Sequence, residues 1–448
     1  MLDLSEDFEG AAAMPMLPKG AADQFEKVTG SQVGRPLYQK LFVFMRPGWR
    51  AYLKQFMTLK EASGAFGDIG LFLPLLTALA IGRVNGTPQI EFGAALFFAG
   101  VFTSSLALHF NIPIPVQPMK TIAAVAIADK IPNEQIIAAG ILMGAIVGFL
   151  ALTNIITHAS KVVPVAIVRG IQLGVGINLV GKGFKSACVS NIQIIWFGLD
   201  SIFVSLLLGA LCIVFIRNKK VPMALLLFIY GMIVAVYQYI RLREELHLPA
   251  LAFGPKFVAP VVPSAHDFGE AFAYLVLPQL PLTLLNSVVA LESLAAELFP
   301  THDKPAGVRR VCFSIAGGNL LFAWFGMLPV CHGAGGLASQ FTFGARSSLA
   351  MVFLGVFKML FALLLGSTTV SLLQTGIFPS SVLGVMLVFS GLSLAIVGLK
   401  VDTSEHDTAL LLLTTASGCV ACNTGVGFLL GFGCHFLLRM ALQRQVPE

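Results

Sequence analysis

The sequence predicts an all-α polytopic membrane protein with fourteen transmembrane segments in a seven-plus-seven inverted repeat. Three observations predict it. Of the 448 residues 56% are hydrophobic and only 12% charged, against roughly 25% charged in soluble domains. Apolar runs of about 20 residues, the length that crosses a hydrocarbon core, recur almost without pause from Ala65 to Met440. Finally, two proline-broken segments read as copies of one device, with Val116 in the first half corresponding to Val330 in the second. They are Ile112-Pro113-Ile114-Pro115-Val116-Gln117-Pro118-Met119-Lys120-Thr121 and Met327-Leu328-Pro329-Val330-Cys331-His332-Gly333-Ala334-Gly335-Gly336.

In chain order, residues 1–60 mix Gly, Pro and charge and read as a cytoplasmic tail leading into an interfacial segment around Leu41 to Met57. Residues 61–240 hold the first repeat, with spans near 65–82, 91–110, 116–128, 135–158, 165–181, 193–216 and 221–240. The third is short because Pro113, Pro115 and Pro118 lack amide donors and have φ locked by their rings. Residues 241–270 form the connecting loop, with Arg241, Arg243, Glu244, Glu245, His247 and several prolines. Residues 271–448 hold the second repeat, with spans near 271–299, 308–327, a short 331–343, then 348–373, 380–399, 407–422 and 425–440. Pro164 opening the fifth span matches Pro379 opening the twelfth, at nearly the offset that separates Val116 from Val330. An odd number of spans per copy forces the second copy to enter the membrane in the opposite direction.

An even total of spans puts both termini on one side. The tail through Lys60 carries eight Lys or Arg, and loops on its side add twelve more, including Lys161, Arg169, Lys219, Lys220, Arg309, Arg310 and Lys400. Opposite lie Arg83, Lys130, Lys182, Lys185, Arg241, Arg243 and Lys256. The positive-inside bias makes the termini cytoplasmic, in a multi-pass protein of the plasma membrane or an organelle membrane. The acidic start, Met1-Leu2-Asp3-Leu4-Ser5-Glu6-Asp7, lacks the basic and apolar regions of a secretory signal peptide.

These charges also exclude functions. The net charge of +6 is spread over loops without an aromatic-basic patch, so no nucleic-acid partner is expected. Seven cysteines, mostly within spans, imply no disulfide framework. Cys419-Val420-Ala421-Cys422 lacks a second Cys/His pair and reads as packing, so neither metal nor cofactor is expected. The scattered His109, His158, His302, His332 and His435 offer no HExxH spacing, which leaves an enzyme as the weakest reading, with no catalytic residues.

Matched broken helices in two halves of a membrane protein point to a midplane substrate site and to transport. The first N–H groups of a half-helix are unpaired and its dipole places about half a positive charge at the opening. Two such ends facing each other would cradle an anion. Pro118 suits a first helical turn. Gly333, Gly335 and Gly336 permit close backbone approach to a ligand or, alternatively, close helix packing. Lys120, in a first turn, opposes the dipole and calls for a compensating anion: the substrate, or Asp68 or Glu292, unless it snorkels to the interface. Gln117, Thr121, Ser339 and Gln340 can donate to oxyanion oxygens or serve as packing contacts between helices, and His332 is either a donor beside the glycines or a helix-capping or core histidine.

Four stretches also resemble the signatures of the molybdate transporters related to SulP-type sulfate permeases. They are Gly64-Ala65-Phe66-Gly67-Asp68-Ile69-Gly70, Pro115-Val116-Gln117-Pro118-Met119-Lys120, Leu284-Leu285-Asn286-Ser287 and Cys331-His332-Gly333-Ala334-Gly335-Gly336-Leu337-Ala338. The resemblance implies a uracil-permease-like fold with core and gate domains, a homodimer in the lipid bilayer, molybdate as substrate and sulfate as a competitor. It places Gln117, Pro118, Met119, Lys120, Thr121, Asn286, Cys331, His332, Gly333, Ala334, Gly335, Gly336 and Gln340 at the substrate. The chain stops soon after its last span, leaving no room for a cytoplasmic STAS domain and favouring molybdate over sulfate. A sulfate permease, or less readily an anion channel of the same fold, is the alternative. Moving a dianion inward against an inside-negative potential costs roughly 4.6 kcal/mol per 100 mV. The intramembrane carboxylates Asp68 and Glu292 are therefore candidates for proton coupling.

Overall fold

Several helix starts in this chain fall at a proline, as at Pro132, Pro222 and Pro379, or at a side-chain cap, as at Thr58 and Ser264. The computed structural model describes residues 56–156, 163–188, 196–215, 221–245, 260–301, 305–366, 377–402 and 404–445. The expected tail, apart from its last residues, and the middle of the connecting loop, residues 246–259, lie outside them.

The first expected span is two helices, α1 (Leu59–Phe66) and α2 (Ile69–Ile81), parted at Gly67-Asp68. Thr58 caps α1, its hydroxyl accepting from Glu61 N at 3.1 Å. A hairpin of β1 (Arg83–Val84) and β2 (Thr87–Pro88) turns through Asn85 and Gly86, both with positive φ. It leads to α3 (Phe92–Leu106). After a proline-rich extended stretch come β3 (Gln117–Pro118), α4 (Lys120–Asp129), α5 (Asn133–Leu152), α6 (Val165–Cys188), α7 (Ile202–Phe215) and α8 (Met223–Leu242).

The second half begins at Ser264, whose capping box with Asp267 starts a long helix, α9 (Ala265–Leu298), ahead of the expected boundary at 271. Within α9, Phe272–Val276 and Thr283–Val289 are π-helical. Pro278 and Pro281 withhold two amides there, which shifts the hydrogen-bond register. Then follow α10 (Val308–Phe322), a 3-10 turn (Ala323–Phe325), β4 (Val330–Cys331), α11 (Ala334–Thr342), α12 (Leu349–Leu365), α13 (Ser380–Gly398), α14 (His406–Ala421) and α15 (Thr424–Gln445). Among the described residues α5, α6, α8, α9 and α13 are long and apolar enough to cross a membrane, and α3, α7, α12 and α15 are shorter apolar helices. On α7 and α8, Phe203, Leu206, Ile213, Ile233 and Ile240 are exposed, the outward apolar face that a bilayer covers.

Helices α6 and α13 pack through glycines in a reciprocal pattern. A Cβ on Gly176 would lie 2.5 Å from Ala395 N, and one on Gly391 would lie 2.7 Å from Val180 N. Gly183 meets Val388 N at 2.7 Å in the same sense, and Gly398 meets Leu173 N at 2.5 Å. The offset that carries Pro164 onto Pro379 also carries Gly176 onto Gly391, Val180 onto Ala395, Gly183 onto Gly398 and Leu173 onto Val388, so each contact maps onto another. Contacts advance along one helix as they retreat along the other. The pair is therefore antiparallel and self-complementary. Asp200 accepts from Ser380 N (3.0 Å) and Ser381 N (2.8 Å), satisfying the start of α13.

Candidate functional site

The two broken segments meet. Strands β3 and β4 pair antiparallel with Gln117 opposite Cys331 and Pro118 opposite Val330, and Met119 N donates to Pro329 O at 2.8 Å. This pairing corrects the expectation for Pro118. It keeps residues 117–119 extended, so Pro118 is a strand residue and α4 begins only at Lys120, with Met119 as its N-cap. In the second broken segment Gly333 is the N-cap of α11. Asn319 of α10 pins β4: its Oδ1 accepts from Val330 N (3.0 Å) while its Nδ2 donates to Val330 O and Ile315 O (2.8 Å each). Asn319→Leu leaves both polar groups of Val330 without that partner, at a cost on the order of 2 kcal/mol or more. A lowered thermal unfolding midpoint in detergent is the expected result, and an unchanged midpoint would count against this role.

The far ends of the half-helices are also closed by side chains. Gln89 Nε2 donates to Ala126 O (2.6 Å) and Ile131 O (2.8 Å) at the end of α4. Arg346 Nη1 donates to Phe341 O and to Ala345 O (2.8 Å) at the end of α11. Cationic and amide donors there complement the negative helix ends, leaving the positive ends to converge beside the β3–β4 pair.

Around that junction the polar side chains are buried. Gln117 Nε2 donates to Asp68 Oδ1, and both residues are at most 2% exposed. A Cβ on Gly336 would sit 2.4 Å from Gln117 Nε2 and 2.9 Å from Asp68 Oδ1, and one on Gly333 would sit 2.1 Å from Gln117 Oε1 and 3.6 Å from Asn286 Nδ2. Asn286 comes from the second π-helical stretch of α9. Asp68 Oδ2, Gln117 Oε1, Asn286 Oδ1 and both amide atoms of Gln340 are buried without a hydrogen-bond partner. Such a concentration of unsatisfied groups marks a place meant for a ligand or water. Gly335 faces elsewhere: a Cβ there would meet Leu179 Cδ1 of α6 at 2.9 Å and Leu394 Cδ2 of α13 at 3.7 Å. Leu179 and Leu394 are themselves equivalent under the repeat offset, so the reciprocal helix pair presents matching leucines to the start of α11.

Lys120, at the start of α4, has Cys331, Lys182 and Asp68 as its electrostatic neighbours. Thr121 N donates to Gln279 Oε1 at 2.8 Å, and Gln279 Nε2 donates to Thr283 Oγ1 at 2.9 Å. Gln279 thus takes up one of the amides of the α4 terminus. Ser339 Oγ donates to Gly67 O, tying α11 to the α1–α2 break. His332 spends both ring nitrogens inside the protein, Nδ1 donating to Pro115 O (2.8 Å) and Nε2 meeting Ser314 Oγ (2.7 Å), and stacks on Phe102. Glu292 is placed apart from the cradle, where its Oε2 accepts from Gly307 N in the turn before α10. Met119 and Ala334 are wholly buried beside the strand pair. Among the described residues no cluster of three or more His, Cys, Asp or Glu is arranged to hold a metal ion.

Three side chains of this region escaped the sequence reading. Gln279 and Asn319 are single amides in apolar runs, and only the prolines of α9 hinted at irregular backbone near the first. Lys358, a single charge in the apolar run of α12, is 3% exposed, with Nζ 3.4 Å from Thr103 Oγ1 and 3.9 Å from the Phe72 ring centre.

The family model described as a molybdate transporter of the MFS superfamily matches residues 60–179 and 271–394. The chain is also 32% identical over 445 residues to Molybdate transporter 2 of Arabidopsis thaliana, covering 89% of this chain and 90% of that one. The chain belongs to the molybdate transporter family. Within the family it is 33% identical over 423 residues to Molybdate transporter 1 of the same plant, covering 85% of this chain and 88% of that one. It is 30% identical over 483 residues to Molybdate transporter 1 of Chlamydomonas reinhardtii, covering 84% and 90% respectively. The resemblance read from the four signature stretches is borne out. In fold this family member is similar to SLC26A9, with a TM-score of 0.57 at 13% identity over 96% of this chain and 71% of that one. The transmembrane domain of the cyanobacterial bicarbonate transporter BicA gives 0.53 at 14% identity, over 84% and 97%. Identities this low establish the fold of an integral membrane transporter and nothing finer.

Proposed function

We propose that the protein carries molybdate across its membrane by alternating access, holding the anion between the N-termini of α4 and α11. One observation carries this reading: the β3–β4 pairing brings two half-helix starts together around buried, unpartnered amides. Backbone N–H groups and about half a positive charge per helix end favour a tetrahedral oxyanion there. The amides of Gln117, Asn286 and Gln340 and the Lys120 ammonium supply the remaining donors.

Fourteen spans in an inverted seven-plus-seven repeat remain the architecture proposed. The reciprocal α6–α13 contacts support it, as do the two segments matched by the family model, one in each half of the chain. On this reading α1–α5 with α9–α12 form the core and α6–α8 with α13–α15 the gate. Arg169 of α6 then links gate to core through Glu297 (2.6 Å), which Lys400 also meets at 3.0 Å. The positive-inside bias puts that latch, like both termini, on the cytoplasmic side. Of the two coupling candidates Asp68 lies in the cradle and Glu292 does not, so proton coupling is assigned to Asp68. A homodimer in the bilayer is retained from the family resemblance.

The test is uptake of labelled molybdate into proteoliposomes of the purified protein, with sulfate as competitor and with an imposed acid-outside gradient. Saturable molybdate uptake, accelerated by the gradient and little reduced by excess sulfate, is expected. Sulfate uptake without molybdate uptake would overturn the substrate, and flux that never saturates would indicate a channel.

A further inference from the structure

A carboxylate is an odd companion for an anion site. Asp68 orients Gln117 through a hydrogen bond, yet its negative charge lies in a low-dielectric interior, where it repels any oxyanion in the cradle. A compensating cation is needed, and the candidates come from two helices. Lys120 stands at the start of α4, where it is available to the substrate. Lys358 comes from α12, which crosses α3 so closely at Gly100 that a Cβ there would be 3.0 Å from Lys358 Cβ. The crossing drives the Lys358 stem inward. Its ammonium rests on the face of Phe72, one helical turn beyond Asp68 on α2, where Phe72 N donates to Asp68 O at 3.2 Å. Asp68 and Lys358 interact electrostatically with each other. A buried ammonium with a long hydroxyl contact and an aromatic face is expensive unless an opposite charge is near.

We propose that Lys358 is a positioning residue for anion binding: it offsets the charge of Asp68, so that Asp68 can orient the Gln117 amide without repelling the transported oxyanion. Lys120 and the two helix ends are then left to the substrate. Lys358 needs no contact with the anion. This inference rests on the proposed transport site, and the experiment separates the two.

Molybdate binding by calorimetry and thermal unfolding without substrate are measured on purified wild type, Lys358→Met, Asp68→Asn and the double variant. An asparagine side chain can still accept from Gln117, so Asp68→Asn removes charge while keeping the orientation. Lys358→Met is expected to weaken binding by on the order of tenfold or more, as close charge pairs do when one member is lost. It should also lower the unfolding midpoint. Adding Asp68→Asn should restore the midpoint and return affinity to that of Asp68→Asn alone. If Lys358→Met does not fold, the comparison of the double variant with Asp68→Asn decides: a further loss of affinity overturns the proposal. So does wild-type affinity in a folded Lys358→Met protein. Absence of molybdate binding by wild type would instead reject the substrate reading, while the substrate-free unfolding cycle still tests the pair.

Discussion

Gly336→Ala abolishes molybdate binding while the protein remains folded: that is the expected result with the sharpest geometric basis. A single added methyl would lie 2.4 Å from Gln117 Nε2, 2.7 Å from Pro115 Cβ and 2.9 Å from Asp68 Oδ1. Pro115 is fixed by its ring and by the bond its carbonyl accepts from His332, so it cannot retreat. The methyl must therefore push the Gln117 amide off Asp68 or move the start of α11. Either change disorders the donors that face the anion. A loss of at least about 2.7 kcal/mol, or a hundredfold in Kd, is expected. Gly335→Ala is the control, since its methyl would meet the tip of Leu179 at 2.9 Å and no backbone, and a leucine tip can rotate aside. Calorimetry on both proteins, with thermal unfolding to verify folding, makes the comparison. Equal affinities for the two variants would show that the glycines serve helix packing alone.

The sequence disclosed the parts of this site that depend on backbone chemistry. Proline placement located both breaks, because a residue without an amide removes a helical hydrogen bond and its ring crowds the preceding turn. The matched places of Val116 and Val330 in the two halves anticipated that the breaks would be equivalent, and Gln117 and Cys331 do pair. What it could not disclose was how the breaks join. A two-residue strand has no periodicity to read, so β3 and β4 were invisible and Pro118 was assigned to a helix it precedes. Long-range side-chain roles were equally hidden. Nothing near Lys358 in the chain foretells Asp68, and nothing near Asn319 foretells that it completes the edge of Val330. His332 was legible only as two alternatives; its bonds to Pro115 and Ser314 are those of a core histidine that ties the two breaks together. Span boundaries moved for a related reason: capping by Thr58 and Ser264 started helices earlier than hydropathy alone suggested.

Lys120→Met is expected to have the largest effect of any single charge change. Two half-helix ends supply about one positive charge between them, which leaves a dianion roughly one charge short in a site that excludes water. Asp68 is answered by Lys358 on the reading above, so it does not consume the Lys120 charge. Lys182, the other cation near Lys120, belongs to α6 and is exposed at the protein surface rather than buried in the site. Removing Lys120 therefore takes away the cation that stands at the start of α4, just after β3. Losing a member of a desolvated charge pair costs about 3 to 5 kcal/mol, or roughly two to nearly four orders of magnitude in Kd. Methionine keeps the length and apolar stem of lysine, so packing against the start of α4 survives. Lys120→Arg restores part of the affinity, because its planar fork on a longer stem carries the charge to a different point. Calorimetric titration of the purified variants reads the effect directly. If Lys120→Met bound molybdate as tightly as wild type, the anion would have to be held by backbone amides, Gln117, Asn286 and Gln340 without a formal charge.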